Sequence, residues 1–345
     1  MTLDRSVTRA RAWNRYSLRM STVNDHLNDA ESLPVLDETN RRLIDALRVD
    51  GRMGLAALGA EVGLSGDAVR ERLRRLTQEG VVKVTCSLDP RVLGFSTLAL
   101  LGVSATGPAE RIAEELADVP EFDLVGCTAG RFDLFVEAVC RDERHLLQTV
   151  DRHLRSRADV ASVTSFNYLE VQKFSPSGTP STARVPDDEV PQLSDSELEV
   201  IAVLQEDGRA SFQDIADRTG VSYQMARRRA KTLLDSGVVR IETVVNRLVE
   251  GTAVVAAIGL RTSGPTREIT PRIIELPEVE VAVLTTGPFD LLLDVACRDR
   301  AHLAEFTGEV LPSIPGVEST ETTIYQRFTK LPQSWSGLVR QMQTT

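Results

Sequence analysis

The feature of this 345-residue chain that most constrains its fold is an internal repeat with a constant offset of 157 residues. Residues 36–174 match residues 193–331 along their whole length, and the alignment needs no insertion. Matched pairs include Gly94 and Gly251, Pro120 and Pro277, Gly130 and Gly287, Phe132 and Phe289, and Tyr168 and Tyr325. Because each copy is long enough to bury its own core, the repeat predicts two copies of one two-domain unit.

The most informative stretch of each copy predicts a capped amphipathic helix, at Leu64–Val82 and at Val221–Val239. A serine at the start can cap the helix, and a glycine followed by two valines ends it. The apolar positions with helical spacing are Ala68, Val69, Leu73 and Leu76 in the first copy, and Met225, Ala226, Ala230 and Leu233 in the second. This pattern predicts one buried face and one face that is free to meet a partner.

The free faces carry the candidate DNA-binding residues. Arg and Gln in the first turns of a helix can reach base edges, while Arg and Lys further along suit phosphates. The helix in the second copy is the better candidate, because its net charge is +3 against +1 in the first. The alternative is a solvated charged face. The candidates are Ser65, Gly66, Arg70, Arg74, Arg75, Ser222, Tyr223, Gln224, Arg227, Arg228 and Lys231.

Two shorter helices precede each of these stretches. In the first copy Asp37 can cap a helix from Glu38 to about Val49, and a second helix covers roughly Leu55–Val62. Three short helices with a glycine turn before the third predict a helix-turn-helix. The β-branched run that follows suggests the strand of a wing, so winged helix-turn-helix domains are expected at 36–88 and 193–245.

The second half of each copy alternates strand and helix in the order βαββαβ, which predicts ferredoxin-like domains at 94–174 and 251–331. In the first copy the outer strands are predicted at Phe95–Ala105 and Val160–Val171. The fold class is therefore α+β. Both helices should cover one sheet face, and the apolar character of the other face predicts self-association.

Composition adds limits on function. The net charge of −10 argues against nonspecific coating of nucleic acid but does not exclude local groove docking. Four cysteines without a CxxC pair favour a reducing compartment, and no zinc-ligand spacing is present, so no metal is expected. No apolar run is long enough to span a membrane.

The remaining segments predict tails and a linker. Residues 1–35 change from basic to acidic and suggest a disordered tail, with a phosphate-contacting basic arm as the alternative. Met20 is a second candidate start. Residues 175–192 are rich in Pro and Ser and predict a linker that reaches on the order of 60 Å, and 332–345 form a C-terminal tail.

The order helix-turn-helix, strand and βαββαβ resembles the Lrp/AsnC family of leucine-responsive, or feast/famine, transcription regulators. The resemblance rests on Glu61–Ser65 (EVGLS), on Arg74–Val82 (RRLTQEGVV), and most of all on Thr128–Leu134 (TAGRFDL) and Thr285–Leu291 (TTGPFDL). Family members normally carry one unit and pair two chains on a palindrome. This chain departs by fusing two units, which allows either a pseudo-dimer within one chain or pairing between chains.

The resemblance implies a cytoplasmic, sequence-specific DNA-binding regulator whose sensor domains bind a small metabolite, usually an amino acid, and form dimers or rings. It places the effector between sensor domains, near the loop that joins their second and third strands. A glycine there allows close approach, and a carboxylate could meet an α-ammonium group. In the structural alternative, the Gly makes a turn and the Asp caps it. The candidate ligand residues are Thr128, Gly130, Asp133, Thr286, Gly287 and Asp290.

Two other functions fit the same pattern. Siroheme decarboxylases resemble this two-domain unit and include fused pairs, but they carry a His-Asn-Tyr-Arg-like run on a sensor strand. The corresponding strands here, 124–127 and 282–285, contain no His, Tyr or Arg, so no enzyme activity and no cofactor are expected. A co-regulator that pairs with single-unit relatives is the third possibility. Asp67 and Glu71 on the first recognition face favour it for the first unit, since carboxylates repel phosphates.

Overall fold

The computed structural model describes residues 36–174, 191–246, 252 and 254–330. The predicted tails at 1–35 and 332–345 and nearly all of the linker predicted at 175–192 lie outside this part of the chain. Within the described ranges, no helix has the length and apolar character that crossing a membrane requires.

Each unit begins with three short helices. The first unit has α1 Glu38–Val49, α2 Leu55–Val62 and α3 Gly66–Gln78. The matching helices of the second unit are α6 Asp195–Glu206, α7 Phe212–Thr219 and α8 Tyr223–Asp235. Left-handed glycines, Gly63 and Gly220 at φ +72°, make the turn before α3 and α8. The predicted helix-turn-helix arrangement is thus present twice.

The sensor half of each unit follows the predicted βαββαβ order. The first contains β2 Thr97–Ala105, α4 Ala109–Ala117, β3 Phe122–Ala129, β4 Leu134–Cys140, α5 Glu143–Val150 and β5 Val160–Asn167. The second contains β8 Val254–Thr262, α9 Thr266–Ile274, β9 Val279–Leu284, β10 Leu291–Cys297, α10 Arg300–Glu305 and β11 Val317–Lys330. Side chains from the helices and strands of each half form a separate apolar core.

Two predicted strand boundaries differ from the structure. The first sensor strand begins at Thr97 and not at Phe95, because a 3-10 turn at Pro90–Leu93 and left-handed Gly94 precede it. The strand predicted at Val160–Val171 is divided into β5 and a further strand, β6 Glu170–Phe174. This division matters because β5 and β6 pair with different sensor halves.

The sensor strands of both units join one nine-stranded sheet in the order β5-β2-β4-β3-β11-β8-β10-β9-β6. Strand β11 pairs antiparallel with β8 of its own unit and with β3 of the first unit. Strand β6 makes the equivalent exchange in the other direction: it belongs to the first unit in sequence but pairs antiparallel with β9 of the second. Since β5 and β6 are consecutive in the chain, the two end strands of this order are covalently connected.

Residues of both units form an aromatic cluster on one face of this sheet. The Phe166 ring of the first unit stacks on the Phe289 ring of the second, with centroids 5.7 Å apart. Phe135 likewise lies 6.0 Å from Tyr325. The sheet face that the sequence left uncovered is therefore covered by the other half of the same chain.

The strands that follow the helix-turn-helix segments also pair between units. Strand β1 Val82–Leu88 runs antiparallel to β7 Val239–Val245, with Val82 opposite Val245 and Leu88 opposite Val239. The strands suggested as wings are present, but each pairs with its counterpart in the other unit. Cys86 and Leu88 of β1 thereby enter the core of the second helix-turn-helix, beside Ile201.

Candidate nucleic-acid interface and effector cleft

The second recognition helix, α8, presents unpaired positive charge to solvent. Its buried face contains Ala226, Ala230 and Leu233, as predicted. The opposite face forms a shallow groove lined by Tyr223, Gln224, Arg227, Arg228, Lys231, Thr232 and Asp235. Among the described residues, Arg227 and Lys231 have no ion-pair partner, and Arg228 donates only to the Met225 sulfur at 3.0 Å.

The first recognition helix, α3, has arginines of similar number whose charge is neutralised on the helix itself. Arg70 pairs with Asp67 at 2.5 Å and Arg75 with Glu79 at 2.7 Å, while Arg74 makes two hydrogen bonds to Glu71. The hydrogen bond from Arg74 lowers the pKa of Glu71 and raises the pKa of Arg74. An anion approaching α3 therefore competes with carboxylates for each guanidinium group.

The capping serines hold the N-terminal ends of both helices. The hydroxyl of Ser65 accepts from the Ala68 amide, and that of Ser222 accepts from the Met225 amide, both at 3.3 Å. The next residue differs between the units. Gly66 offers no side chain, whereas Tyr223 is 47% exposed and meets the Phe212 ring edge-on at 6.5 Å.

In the structure, side chains of the predicted effector loops make hydrogen bonds to backbone groups in or next to the same loops. Thr128 Oγ1 donates to the Phe132 carbonyl at 2.7 Å, and the Asp133 carboxylate accepts from the Ala105 amide at 2.7 Å. In the second unit, Asp290 likewise accepts from the Thr262 amide at 2.8 Å. Each Asp therefore caps the end of a neighbouring strand, whereas the structural alternative had it cap the glycine turn of its own loop.

An open cleft beside the first of these loops brings both units together. It is lined by Pro108, Ala109, Glu110, Cys127, Thr128, Asp133, Gln326 and Arg327, the last two from β11 of the second unit. Within the described part of the chain, neither Glu110 nor Arg327 has an ion-pair partner. The cleft therefore contains the Glu110 carboxylate and the Arg327 guanidinium group, which make no ion pair within the described residues, together with the predicted Thr128 and Asp133.

Two residues of this cleft, Glu110 and Arg327, were not predicted from the sequence. Glu110 lies in the first turn of α4, after the repeated Gly-Pro pair, so the repeat offered a weak signal for it. Arg327 reaches the cleft only because β11 pairs with β3, with Arg327 opposite Cys127. The pattern of apolar residues within one unit cannot predict the pairing of β11 with β3, because the two strands belong to different units.

The corresponding region of the second unit has a different composition. Gly287 keeps a positive φ of +113°, but Pro288 replaces Arg131. At the offset of 157, Thr285 and not Thr286 matches Thr128; Thr285 is buried and Thr286 is exposed. The positions of Glu110 and Arg327 are taken by Arg267 and Glu170, so the charges are exchanged. In the described ranges, no group of three His, Cys, Asp or Glu side chains is arranged as a metal site.

Comparison with known protein families identifies all four folded segments. The model of the Lrp/AsnC ligand binding domain matches residues 98–177 and again residues 255–334. The AsnC-type helix-turn-helix domain matches residues 36–77, and a winged helix-turn-helix DNA-binding domain matches residues 193–240.

Individual relatives match one unit of this chain. An HTH-type transcriptional regulator of Pyrococcus abyssi, uncharacterized, is 33% identical over 135 residues, which are 85% of that protein and 39% of this chain. A regulator of Mycobacterium tuberculosis is 30% identical over 128 residues, 86% of its length and 36% of this chain. Both are named as regulators of transcription.

Among solved structures, the siroheme decarboxylase NirDL superposes with a TM-score of 0.62 over 89% of this chain and all of its own. Its sequence identity of 13% makes this a likeness of fold alone. The family models and the sequence relatives, which are named as regulators and not as enzymes, agree with the predicted function class. The chain belongs to the Lrp/AsnC family of helix-turn-helix transcriptional regulators, and it carries two family units in tandem.

Proposed function

We propose that this chain is a sequence-specific DNA-binding regulator in which α8 makes the stronger contact and a small amphoteric metabolite, an amino acid, is the effector. The observation that carries the proposal is the row of unpaired cations on the exposed face of α8, within the described part of the chain. A helix that enters the major groove places its first turn at the base edges and its flanks at the phosphates.

The residues of α8 divide by position into these two tasks. Gln224, in the first turn, has the amide that pairs with adenine edges, and Tyr223 lies beside it. Arg227, Arg228 and Lys231 follow at spacings that suit phosphates or, for the arginines, guanine. On α3, each of the arginines Arg70, Arg74 and Arg75 must first break an ion pair with a carboxylate before it can contact DNA. Such exposed pairs are weak because water and salt screen them, so α3 remains able to bind a second, weaker half-site.

The effector proposal rests on the cleft at β3 and β11. A free amino acid carries a carboxylate and an ammonium group a few ångströms apart. Arg327 can hold the carboxylate with two parallel hydrogen bonds, and Glu110 or the remaining oxygen of Asp133 can accept from the ammonium. Because Arg327 comes from the second unit, an effector bound here would contact both halves of the chain. We also propose that the pseudo-dimer within one chain is the unit that binds DNA.

The test is a footprint of the full-length chain on DNA upstream of its own gene, with and without a mixture of amino acids. We expect protection of an imperfect palindrome with unequal half-sites, and a change in protection when the mixture is added. Arg327→Gln should remove the change while keeping the protection, and Arg144→Gln, at an exposed arginine of α5 outside the cleft, serves as the matched control. No protection even at low salt would reject DNA binding and favour a co-regulator.

A further inference from the structure

The turns that follow the first helix of each unit face one another and have the same sequence pattern. Asp50-Gly51-Arg52 follows α1, and Asp207-Gly208-Arg209 follows α6, at the offset of 157. Each aspartate holds its own turn, because its carboxylate accepts from the backbone amide of the arginine, at 2.8 Å in the first unit and 2.9 Å in the second.

The two arginines reach across to the opposite turn. Arg52 donates from Nη1 to the Gly208 carbonyl at 2.6 Å and from Nη2 to the Ala210 carbonyl at 2.9 Å. Arg209 donates from Nη1 to the Gly51 carbonyl at 2.6 Å and from Nη2 to the Met53 carbonyl at 2.8 Å. We call this reciprocal set of four hydrogen bonds the arginine clasp.

The clasp constrains orientation more strongly than a point contact would. A guanidinium group is planar, and two donors with two fixed acceptors define both distance and angle. Both arginines are half-buried, so these hydrogen bonds lie partly out of water, where removing a partner is costly. The Asp50 and Asp207 carboxylates lie close enough to offset the two neighbouring positive charges.

Only one of the two recognition helices, α8, is in contact with the arginine clasp through aromatic side chains. The Arg52 guanidinium lies 5.8 Å from the centre of the Phe212 ring, and Phe212 meets Tyr223, the first residue of α8, edge-on. At the equivalent positions of the first unit stand Leu55 and Gly66, which offer no rings. The first unit thus supports the start of the second unit's recognition helix, without an equivalent in return.

We propose that Arg52 and Arg209 are positioning residues that fix the two helix-turn-helix segments relative to each other, and that Arg52 also orients the start of α8 through Phe212 and Tyr223. The second part rests on the proposed DNA contact of α8, whereas the first part stands on the structure of the free protein.

The first part is tested without DNA by measuring the distance between the two recognition helices. Gln78 and Asp235 are equivalent, exposed positions at the ends of α3 and α8, and all four native cysteines are buried. Nitroxide labels at Gln78→Cys and Asp235→Cys should give one narrow distance distribution by pulsed electron spin resonance. Adding Arg52→Ala and Arg209→Ala should broaden or shift it. An unchanged distance distribution in the double variant would contradict the proposed positioning role of Arg52 and Arg209.

The second part is tested by DNA affinity in full-length variants. We expect Arg52→Ala to weaken specific binding about tenfold, and Arg209→Ala, its matched control, clearly less. Phe212→Leu installs the residue of the first unit, and should weaken binding without altering the label distance. Equal effects of both arginine variants, or full affinity of Phe212→Leu, would overturn the directed contact. If the parent chain binds no DNA, the proposed function fails while the distance measurement still decides the clasp.

Discussion

At the scale of single residues, the difference between the two recognition helices lies in which arginines already have partners. Replacing Arg227 and Arg228 by Ala removes two cations that no carboxylate of the described chain neutralises. We expect specific DNA affinity to fall by about 1–3 kcal/mol for each arginine that reads a base. The salt dependence should weaken by about one unit for each arginine that binds a phosphate. Fluorescence anisotropy with labelled operator DNA at several salt concentrations measures both quantities.

The matched variant for this comparison is Arg70→Ala with Arg74→Ala on α3. Its effect on affinity should be smaller, because each of these arginines gives up an ion pair on its own helix before it meets a phosphate. A larger decrease in affinity from the α3 variant than from the α8 variant would show that the first unit is the main reader.

Two carboxyl–tyrosine pairs lie on the nine-stranded sheet at equivalent positions of the two units. The Tyr168 hydroxyl donates to Glu137 at 2.8 Å, and the Tyr325 hydroxyl lies 3.5 Å from an Asp294 oxygen. Burial above all, and then the neighbouring Asp123 carboxylate, raise the pKa of Glu137 from 4.5 to about 8. The aromatic cluster around the pair explains the size of the desolvation effect.

This raised pKa predicts that the free energy of unfolding depends on pH. The folded chain binds the Glu137 proton more tightly than the unfolded chain, so stability is highest below about pH 4.5 as far as this group contributes, and it falls as the pH rises towards 8. The slope approaches ~1.4 kcal/mol per pH unit within that window. Glu137→Gln should remove this part of the slope in urea unfolding between about pH 5 and 9. Glu114→Gln, at an exposed side chain of α4, should leave this slope intact.

At the scale of secondary-structure elements, the equivalent strands β2 and β8 each have a glycine where any larger side chain would collide with an aromatic ring. A Cβ at Gly102 on β2 would lie 2.7 Å from the Phe132 ring, and one at Gly259 on β8 would lie still closer to Phe289. These rings belong to the cluster between the units, where Phe132 and Phe166 meet at 5.9 Å and Phe166 stacks on Phe289. Each glycine therefore lets a strand approach an aromatic ring.

Gly102→Ala and Gly259→Ala should each lower the free energy of unfolding by about 1–3 kcal/mol, because the ring must move away to admit a methyl group. Denaturant unfolding at constant pH measures the change. Gly308→Ala, a helical position with nothing within 4 Å of the added atom, should not lower stability and should raise it by up to about 1 kcal/mol, since Ala favours the helix over Gly. Similar effects at all three positions would attribute the destabilisation to the backbone and not to the rings.

The helices were predictable from the sequence because their signals are local. A capping side chain such as Asp37, an apolar stripe and a terminal glycine lie within one stretch, and the structure has α1 at the predicted Glu38–Val49. Strand pairing has no such local signal. The two units have the same strand pattern, so the sequence allows β11 to pair with β3 of the first unit, to pair with its equivalent β9 in the second, or to face solvent. The exchange of β6 and β11 between units, and with it Arg327 in the cleft, followed only from the structure.

At the scale of the whole molecule, three sets of strand pairings make the two units interdependent. The β1–β7 ribbon joins the helix-turn-helix segments, and β3–β11 and β6–β9 join the sensor halves. Because each half supplies strands that complete the other, opening one half exposes paired edges and aromatic surface of the second. The sequence repeat allowed either a pseudo-dimer within one chain or pairing between chains, and the pairing of the strands within this chain indicates one cooperative structure.

That cooperativity can be measured with two cysteines at equivalent positions. Cys140 in the first unit and Cys297 in the second are both fully buried, and burial raises the pKa of each thiol to about 11, so the folded chain should resist alkylation. We expect both thiols to become reactive at the same urea concentration, with mass spectrometry of the peptides separating the two sites. Units that unfold independently would give two midpoints. Arg52→Ala should shift both midpoints together, because a contact that joins the units stabilises each of them.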